Sequence, residues 1–188
     1  MTAHLVGITG YATSGKDTFA KSLALRGGFK IMGMSDALLE MARVLNPLLQ
    51  YDDGQLFELN RVLDAVGYTE AKKIASVREY LQRLGTEAVR DVIGEDSWTR
   101  AAEKRFVGLM AEGHSVAVTG IRFPNEATMI KSYGGTVVKI LRNGTEPSNG
   151  HSSDTLLDSL PVDVVVFNNG TVDDLGVEAS KLLRTLGD

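Results

Sequence analysis

The sequence contains no cysteine, so disulfide bonds and cysteine-ligated zinc sites are excluded. It also has no apolar run near the ~20 residues that a membrane-spanning helix needs. The first residues lack both the cationic start and the long apolar segment of a secretory signal peptide. From these three absences we expect a cytoplasmic protein without a membrane partner.

An excess of positive charge is missing as well. The 20 lysines and arginines are outnumbered by 24 aspartates and glutamates, which leaves a net charge of -4. Because nonspecific binding to a nucleic-acid backbone needs a positive surface, we expect no nucleic-acid polymer as a partner. The length of 188 residues and the hydrophobic fraction of 43% predict a single domain over residues 1–188. The oligomeric state is left undecided, with a homodimer open.

Short apolar segments alternate along the chain with segments of helical periodicity. The predicted strands cover residues 5–9, 29–34, 115–119, 136–141 and 162–167. This alternation predicts an α/β fold with a central, mainly parallel sheet of about five strands, flanked by helices on both faces. In such sheets, ligands bind beyond the carboxyl ends of the strands.

Two segments stand apart from this alternation. Residues 47–75 have the weakest periodicity, and we interpret them as an inserted or mobile segment on the substrate side of the protein. Residues 142–153 form a polar loop that contains Gly144, Pro147 and His151. We interpret this loop as a lid, because closure of such a loop excludes water from a reaction.

The segment from residue 77 to residue 90 predicts one helix with two distinct faces. Its apolar stripe consists of Val77, Tyr80, Leu81, Leu84 and Ala88. A second face carries Arg83, Thr86, Glu87 and Arg90 at helical spacing. These polar side chains either contact a bound ligand or form a solvated surface with internal ion pairs, and both interpretations stay open.

A phosphate-binding loop follows the first strand and opens the first helix. The segment, which we call the phosphate loop, consists of Gly10, Tyr11, Ala12, Thr13, Ser14, Gly15, Lys16, Asp17 and Thr18. Its glycines allow the backbone to wrap an anion with successive N–H groups pointing inward. The helix N-terminus adds a positive dipole end, and Lys16 supplies a mobile cation. The pattern and its strand-to-helix context therefore predict binding of nucleotide phosphates.

Asp17 departs from the usual pattern, in which Ser or Thr follows the lysine. A carboxylate beside a triphosphate is repelled unless a cation lies between them. Asp17 therefore either acts through Mg²⁺ and its waters, with Thr18 as the nearer hydroxyl ligand, or is a first-turn acid that favours the helix dipole. Both interpretations stay open.

Two arginines follow predicted strands. Arg122 comes after the strand at 115–119, where its planar guanidinium suits a second phosphate, although an ion pair with Glu126 at i,i+4 is the structural alternative. Arg142 opens the predicted lid, where it would stabilise the charge of a transferring phosphoryl group or be an ordinary surface residue. An aspartate that organises Mg²⁺ is expected at the end of the same strand, and Thr119 and Gly120 stand at the candidate positions. We expect the catalytic residues to be Lys16, Arg122 and Arg142.

The chain resembles the deoxynucleoside monophosphate kinases of tailed phages and their bacterial relatives. The resemblance rests on the phosphate loop with its Gly-Lys-Asp-Thr ending and on five further segments: Ser35-Asp36-Ala37-Leu38, Arg78-Glu79-Tyr80-Leu81-Gln82 with Gly85-Thr86-Glu87, Asp96-Ser97-Trp98, Arg122-Phe123-Pro124-Asn125-Glu126 and Asn168-Asn169-Gly170-Thr171. It spans most of the chain and is weakest at 47–75. One departure is Gly120, where the family commonly has Asp, and this places the arrangement of the metal in question.

The resemblance implies a three-layer P-loop kinase fold and the transfer of phosphate from ATP, with Mg²⁺, to a deoxynucleoside monophosphate. It implies that the phosphate loop, Asn169 and Gly170 bind ATP. Contacts to the acceptor would come from Asp36, Arg78, Gln82, Thr86, Glu87, Arg90, Trp98 and Arg122. The metal would be held near Asp17, Thr18 and Asp36.

Two alternatives remain at this point. A P-loop kinase for another small acceptor, such as dephospho-coenzyme A or phosphomevalonate, would share the loop and the sheet. A nucleotide-binding regulatory module that no longer transfers phosphate would explain the missing carboxylate at Gly120.

Overall fold

The computed structural model describes residues 3–145 and 157–187. In chain order its elements are β1 (Leu5–Thr9), α1 (Lys16–Gly27), β2 (Lys30–Gly33), α2 (Asp36–Leu45), β3 (Leu48–Gln50), β4 (Leu56–Glu58), α3 (Leu59–Ala71), α4 (Ala75–Arg83), a π-helix (Leu84–Arg90), α5 (Ser97–Ala111), β5 (Val116–Ile121), α6 (Pro124–Ser132), β6 (Thr136–Leu141), β7 (Val164–Phe167) and α7 (Val172–Gly187). Within these residues no helix is both long and apolar enough to cross a bilayer.

The chain forms two compact units. The first joins the chain up to Met34 with the chain from Ala102 onward, and the second is Ser35–Ala101. Across the described residues, the sheet of the first unit has five strands in the order β2-β5-β1-β6-β7, and every neighbouring pair is parallel. Consecutive parallel strands need crossover connections, which the helices supply.

Helices cover both faces of this sheet. On one face, α5 and α6 pack onto a cluster of buried side chains that includes Phe106, Val118 and Ile130. On the other, α1 and α7 pack onto a cluster that includes Phe19 and Leu175. Because the central strands β1, β5 and β6 are buried on both faces, they are mainly apolar rather than alternating, whereas the edge strands β2 and β7 are partly exposed. The predicted three-layer α/β fold with about five mainly parallel strands is confirmed.

The strand and helix bounds follow the predicted pattern closely. The first strand and the strand at 136–141 have the predicted bounds. The strand predicted at 115–119 extends to Ile121, and the last strand begins at Val164 rather than at residue 162. Strand ends depend on pairing with neighbours, which a single segment of sequence does not show.

The second unit has a smaller core of its own. Helices α2, α3 and α4 and the antiparallel hairpin of β3 and β4 surround buried side chains that include Phe57, Leu59 and Val77. The segment 47–75 is therefore built from regular elements, namely the hairpin and α3, which bends at Gly67 with φ 76° and ψ 169°. Its role as an inserted or mobile substrate-side segment stays a prediction.

The single helix predicted over residues 77–90 is interrupted. The prediction that Ala88 belongs to its inward apolar stripe is wrong. From Leu84 to Arg90 the chain is a π-helix, whose hydrogen bonds join residues five apart, as from Asp91 N to Thr86 O at 3.0 Å. The wider turn delays the inward face by one position. Val89 is consequently buried, whereas Ala88 is exposed. The regular helical spacing that would align Arg90 with the rest of the polar face is also lost within the π-helix.

Candidate active site

The phosphate loop lies between the central strand β1 and the start of α1, and its backbone has the conformation that an anion-binding turn needs. Three residues have positive φ: Gly10 at 144°, Thr13 at 62° and Gly15 at 100°. The Ser14 amide donates to the Tyr11 carbonyl at 3.2 Å, which closes the turn. Gly15 is the N-cap of α1, so the free N–H groups of the first helical turn face the same loop.

Two glycines are required here by close approach as well as by backbone angle. A Cβ atom on Gly10 would lie 2.5 Å from the Ile140 carbonyl oxygen, and one on Gly15 would lie 2.3 Å from Asn168 Nδ2. At Gly10 the obstacle is the backbone of β6, whereas at Gly15 it is the Asn168 side chain, which would have to move away from its hydrogen bond to the Ser14 carbonyl. The glycines therefore hold the loop against the ends of β6 and β7.

Lys16 is the first residue of α1 and is half-buried. Its ammonium group donates to the Tyr11 carbonyl at 3.2 Å, so it lies over the loop rather than in open solvent. A lysine at this place can reach the outer phosphates of a bound nucleotide. The predicted loop residues Ala12 and Thr13 are exposed, whereas Ser14 is buried.

The two predicted arginines flank the phosphate loop in the sheet. Arg122 directly follows β5, and Arg142 directly follows β6. Since β5 and β6 are the two neighbours of β1, both arginines lie at the same carboxyl edge as the loop, one on each side. Both residues are exposed. The fold therefore brings the three predicted catalytic residues, Lys16, Arg122 and Arg142, to one edge.

Glu126, which the sequence suggested as an ion-pair partner of Arg122, is a buried helix cap. Its carboxylate accepts the backbone N–H of Arg122 at 2.8 Å and that of Phe123 at 3.2 Å. Pro124 occupies the first turn of α6, where its missing N–H leaves no unmade bond. The cap therefore fixes the backbone of Arg122 at the end of β5.

The backbone conformation at position 120 explains why glycine, rather than aspartate, occurs there. The pairing of β1 with β5 shifts there, from Ile8 with Thr119 to Thr9 with Ile121, so Gly120 is the extra residue of a bulge. Its φ of 80° is in the left-handed region that favours glycine. The Thr9 hydroxyl donates to the Ile121 carbonyl at 2.7 Å beside this bulge and holds its geometry.

The predicted metal ligands are separated by element. Asp17 is exposed in the first turn of α1, Thr18 is half-buried beside it, and Asp36 begins α2 in the second unit. Within residues 3–145 and 157–187, no group of three or more aspartate, glutamate or histidine side chains could hold a metal ion. A metal at this loop would therefore depend on phosphate oxygens for most of its coordination.

The loop after β7 is bound to the phosphate loop through Asn168, which belongs to a segment that carries the resemblance but was given no role there. Asn168 is buried, and its side-chain amide donates to the Ser14 carbonyl at 2.8 Å. Asn169, a predicted ATP contact, is exposed, and its side-chain oxygen Oδ1 accepts the Asn143 backbone N–H at 2.8 Å. Gly170 is exposed next to it. The Thr171 hydroxyl accepts the Asp174 amide at 3.2 Å and so caps the N-terminus of α7.

A second feature that was not predicted from the sequence is the buried charge of Lys139, which connects to the phosphate loop through Asp158. Lys139 of β6 is almost fully buried, and its ammonium donates to Asp158 Oδ1 at 2.6 Å. The Tyr11 hydroxyl donates to the other oxygen, Oδ2, at 2.9 Å. The hydrogen bond from Lys139, followed by that from Tyr11, lowers the pKa of Asp158. A single charge within the apolar run 137–141 was the available signal, because unpaired lysines are rarely buried.

The predicted acceptor contacts, apart from Arg122, lie in or at the start of elements of the second unit. Arg78 and Gln82 are in α4, Thr86, Glu87 and Arg90 are in the π-helix, and Trp98 is in α5. The Trp98 indole N–H donates to the Gly85 carbonyl at 2.8 Å, so this residue ties α5 to the π-helix. Arg83 pairs with Glu87 at 3.2 Å on the exposed polar face. That ion pair supports the interpretation as a solvated face for these two residues.

A cavity of about 640 Å³ lies within the second unit, which is the usual size of a small-molecule site. Its lining residues are Leu49, Ser76, Glu79, Tyr80, Arg83, Leu84, Glu87 and Ala88. Among the described residues, the hydroxyls of Ser76 and Tyr80 are buried without a hydrogen-bond partner. Burial raises the pKa of Tyr80, so its hydroxyl remains protonated and able to donate. Of the predicted acceptor residues, only Glu87 lines this cavity.

His151 and residues 146–153 of the predicted lid lie outside the described residues. The start of that segment is described: the Arg142 carbonyl accepts the Thr145 amide at 3.1 Å and the Thr145 hydroxyl at 2.6 Å, which forms a turn. The turn places Arg142 at its first position. Closure of the lid stays a prediction.

Comparison with protein families gives a match over most of the chain. The sequence model of the family described as deoxynucleotide monophosphate kinase matches residues 29–178. A protein of Acanthamoeba polyphaga mimivirus, provisionally described as a deoxynucleotide monophosphate kinase, is 29% identical over 187 residues and covers 90% of this chain and 91% of its own. The deoxynucleotide monophosphate kinase of Escherichia phage RB69 is 26% identical over 110 residues, which are 58% of this chain and 45% of that protein.

Solved structures of low sequence identity share the fold. Shikimate kinase from Aquifex aeolicus superimposes with a TM-score of 0.51 at 13% identity, covering 97% of this chain and 98% of its own. Dephospho-CoA kinase from Campylobacter jejuni does so with a TM-score of 0.50 at 17% identity, covering 97% and 96%. At these identities the likeness concerns the architecture alone.

The close approach of Gly10 to β6 generates a prediction about stability. Gly10→Ala should lower the free energy of unfolding by about 2–5 kcal/mol, because it adds both backbone strain and a contact with the Ile140 carbonyl. Gly28→Ala is the matched control, since Gly28 also has positive φ, at 68°, but faces open space. That variant should lose only about 1 kcal/mol. Urea unfolding of both variants measures the difference, and equal losses would contradict the steric explanation.

Proposed function

The chain belongs to the deoxynucleotide monophosphate kinase family, and from this membership we propose that it transfers the γ-phosphoryl group of ATP to the 5′-phosphate of a deoxynucleoside monophosphate. The observation that carries the proposal is the phosphate loop at the end of β1 with Arg122 and Arg142 on the two neighbouring strands. The family match begins at residue 29, after this loop. Loop geometry and family membership are therefore separate lines of support.

The proposed mechanism relies on positioning and charge stabilisation. The loop amides and the N-terminus of α1 would bind the β- and γ-phosphates, and Lys16 would neutralise part of their charge. Arg122 would hold the acceptor phosphate in line with the γ-phosphate, and Arg142 would stabilise the charge on the transferring group. No covalent intermediate with the protein is needed, because the transition state for phosphoryl transfer is loose and has little covalent chemistry to catalyse.

Mg²⁺ is proposed as the companion of ATP, and the residues at the loop fit it. The Thr18 hydroxyl is half-buried at the start of α1, and the exposed Asp17 carboxylate is its neighbour. Mg²⁺ commonly takes one or two protein ligands and completes its octahedron with waters and phosphate oxygens, so no dedicated cluster of acids is required. The ion would supply neutralising charge to the phosphates. A part for Asp36 in holding it stays a prediction.

We assign the base of the acceptor nucleotide to the cavity of the second unit. Leu49, Leu84 and the Tyr80 ring offer apolar contact to a planar ring. The hydroxyls of Ser76 and Tyr80 are buried without partners among the described residues, and a hydrogen bond from the base would recover part of that cost. The predicted contacts Asp36, Arg78, Gln82, Thr86, Glu87, Arg90 and Trp98 stay predictions for the acceptor. Cytoplasmic location, in the host cell for a phage-borne gene, and a homodimer remain predictions.

An acceptor panel tests the proposed reaction. A coupled assay of ADP release with all common ribo- and deoxyribonucleoside monophosphates should show turnover with at least one deoxynucleotide. Dephospho-coenzyme A and phosphomevalonate complete the panel, and turnover confined to either would replace the proposal with the alternative kinase. ATP binding without turnover on any acceptor would indicate the regulatory module.

Removal of the positive charge of Lys16 should strongly lower the rate of this turnover. Lys16→Ala is expected to lower kcat/KM by on the order of 10²–10³, because one donor to the developing charge is removed. Lys21→Ala, an exposed lysine of the same helix, is the control and should retain the wild-type rate. Thermal unfolding of both variants checks the fold. A Lys16→Ala enzyme of near-normal activity would overturn the assignment of the site.

A large side chain in the cavity should raise the KM of the acceptor without changing the KM of ATP. Ala88→Phe places a ring at the cavity wall and is expected to raise the KM of the acceptor by about tenfold or more, which corresponds to roughly 1.4 kcal/mol. The KM of ATP should not change. Ala111→Phe, on an exposed position at the end of α5, controls for a large apolar side chain on the surface. An unchanged acceptor KM in Ala88→Phe would exclude the cavity as the base site.

A further inference from the structure

Lys139 is a charged residue in the middle of an apolar strand. Its side chain is 9% exposed, and its neighbours in β6 are valines, isoleucine and leucine. A buried ammonium is costly unless it is paired and hydrogen-bonded. Asp158 Oδ1, at 2.6 Å, supplies the charge, and the Leu157 carbonyl, at 3.1 Å, takes a second hydrogen bond. An apolar residue would fill the position without these demands, so the charge needs an explanation beyond packing.

The bonds continue from this pair into the phosphate loop. Asp158 Oδ2 accepts the hydroxyl of Tyr11 at 2.9 Å, and Tyr11 is itself buried. The backbone carbonyl of Tyr11 accepts both the Ser14 amide and the Lys16 ammonium, each at 3.2 Å. Hydrogen bonds on both sides of Tyr11, to its hydroxyl and to its backbone carbonyl, thus link Lys139 to the lysine of the loop through this one residue. The bond between Tyr11 and Asp158 joins the phosphate loop to a segment that is distant in sequence.

We propose that Lys139 and Asp158 are positioning residues, which hold Tyr11 and thereby keep the phosphate loop in the shape that binds nucleotide phosphate. The inference rests on the proposed function only in assigning phosphate binding to the loop. Asp158 touches no phosphate in this role, because both its oxygens are engaged by Lys139 and Tyr11. The pair sets the orientation of the Tyr11 carbonyl and, through it, the place of the Lys16 ammonium.

The charge state of the pair agrees with this role. Hydrogen bonds from Lys139 and Tyr11 lower the pKa of Asp158, so its carboxylate is ionised at neutral pH. An ionised acceptor makes a stronger hydrogen bond to a phenol than a neutral one does. Only the ammonium of this pair is buried, since the Asp158 side chain is 70% exposed, so removing both charges together leaves no buried ion without a partner. The effect of the pair should therefore appear in ligand binding more than in unfolding.

The test measures binding of ATP and of inorganic triphosphate to the full chain by titration calorimetry. Tyr11→Phe removes one hydroxyl and keeps the ring. The double variant Lys139→Met with Asp158→Ala removes both charges at once, so that no buried ammonium is left unpaired. Each is expected to weaken binding of both ligands by about three- to thirtyfold, because small displacements of binding groups are costly. The KM of ATP should rise while the KM of the acceptor stays unchanged.

Combining the changes distinguishes positioning from independent effects. Tyr11→Phe added to the double variant should weaken binding no further, since all three changes break the same series of hydrogen bonds. Lys131→Met is the matched control, because Lys131 pairs with Asp163 in the same unit, and within residues 3–145 and 157–187 neither residue bonds to the phosphate loop, so this variant should bind ATP like the wild type.

Three results would overturn the inference: wild-type affinity in Tyr11→Phe, additive losses in the combined variant, or an equal loss in Lys131→Met. Failure of the wild-type protein to bind either ATP or triphosphate would instead contradict the proposed function. The thermal unfolding midpoint of every variant is recorded alongside, and affinity lost only in proportion to a lowered midpoint would count against positioning.

Discussion

The parallel pairing of β1 between β5 and β6 is the constraint on which the site depends. Parallel strands end at the same edge, so whatever follows the three strands is brought together there. The phosphate loop follows the middle strand, and Arg122 and Arg142 follow its two neighbours. Helices cover both faces of the sheet, so this edge is where polar groups can gather without being buried.

Close packing contacts, as well as charge, hold the phosphate loop at that edge. Gly10 lies against the Ile140 carbonyl, and Gly15 lies against the Asn168 amide. Asn168 in turn binds the Ser14 carbonyl, and Tyr11 binds Asp158. The loop is thus fixed from the ends of β6 and β7 before any ligand is considered. Such preorganisation is what an electrostatic catalyst needs, because donors already in place cost no reorganisation during the reaction.

The second unit presents a different physical problem, since it has to offer an apolar cavity with polar groups at a few points. The π-helix contributes by changing the order in which residues face inward, which buries Val89 and leaves Ala88 at the cavity wall. π-Helical segments are often found at functional sites. The same segment explains why a regular helical periodicity misplaced these side chains.

Local pattern alone was enough to predict the α/β class, the phosphate loop and the approximate positions of the five strands, because apolar runs, helical spacing and glycines before a lysine each lie within a few neighbouring residues. It also placed Arg122 and Arg142 after strands. The order of the strands, and with it the position of the arginines on either side of the loop, emerges only from the folded chain. The folded chain likewise revealed the contacts of Asn168 and Glu126 and the Lys139–Asp158 pair, and it explained Gly120 as a bulge. These features depend on atoms that are far apart in the chain, and no local pattern records which of them meet.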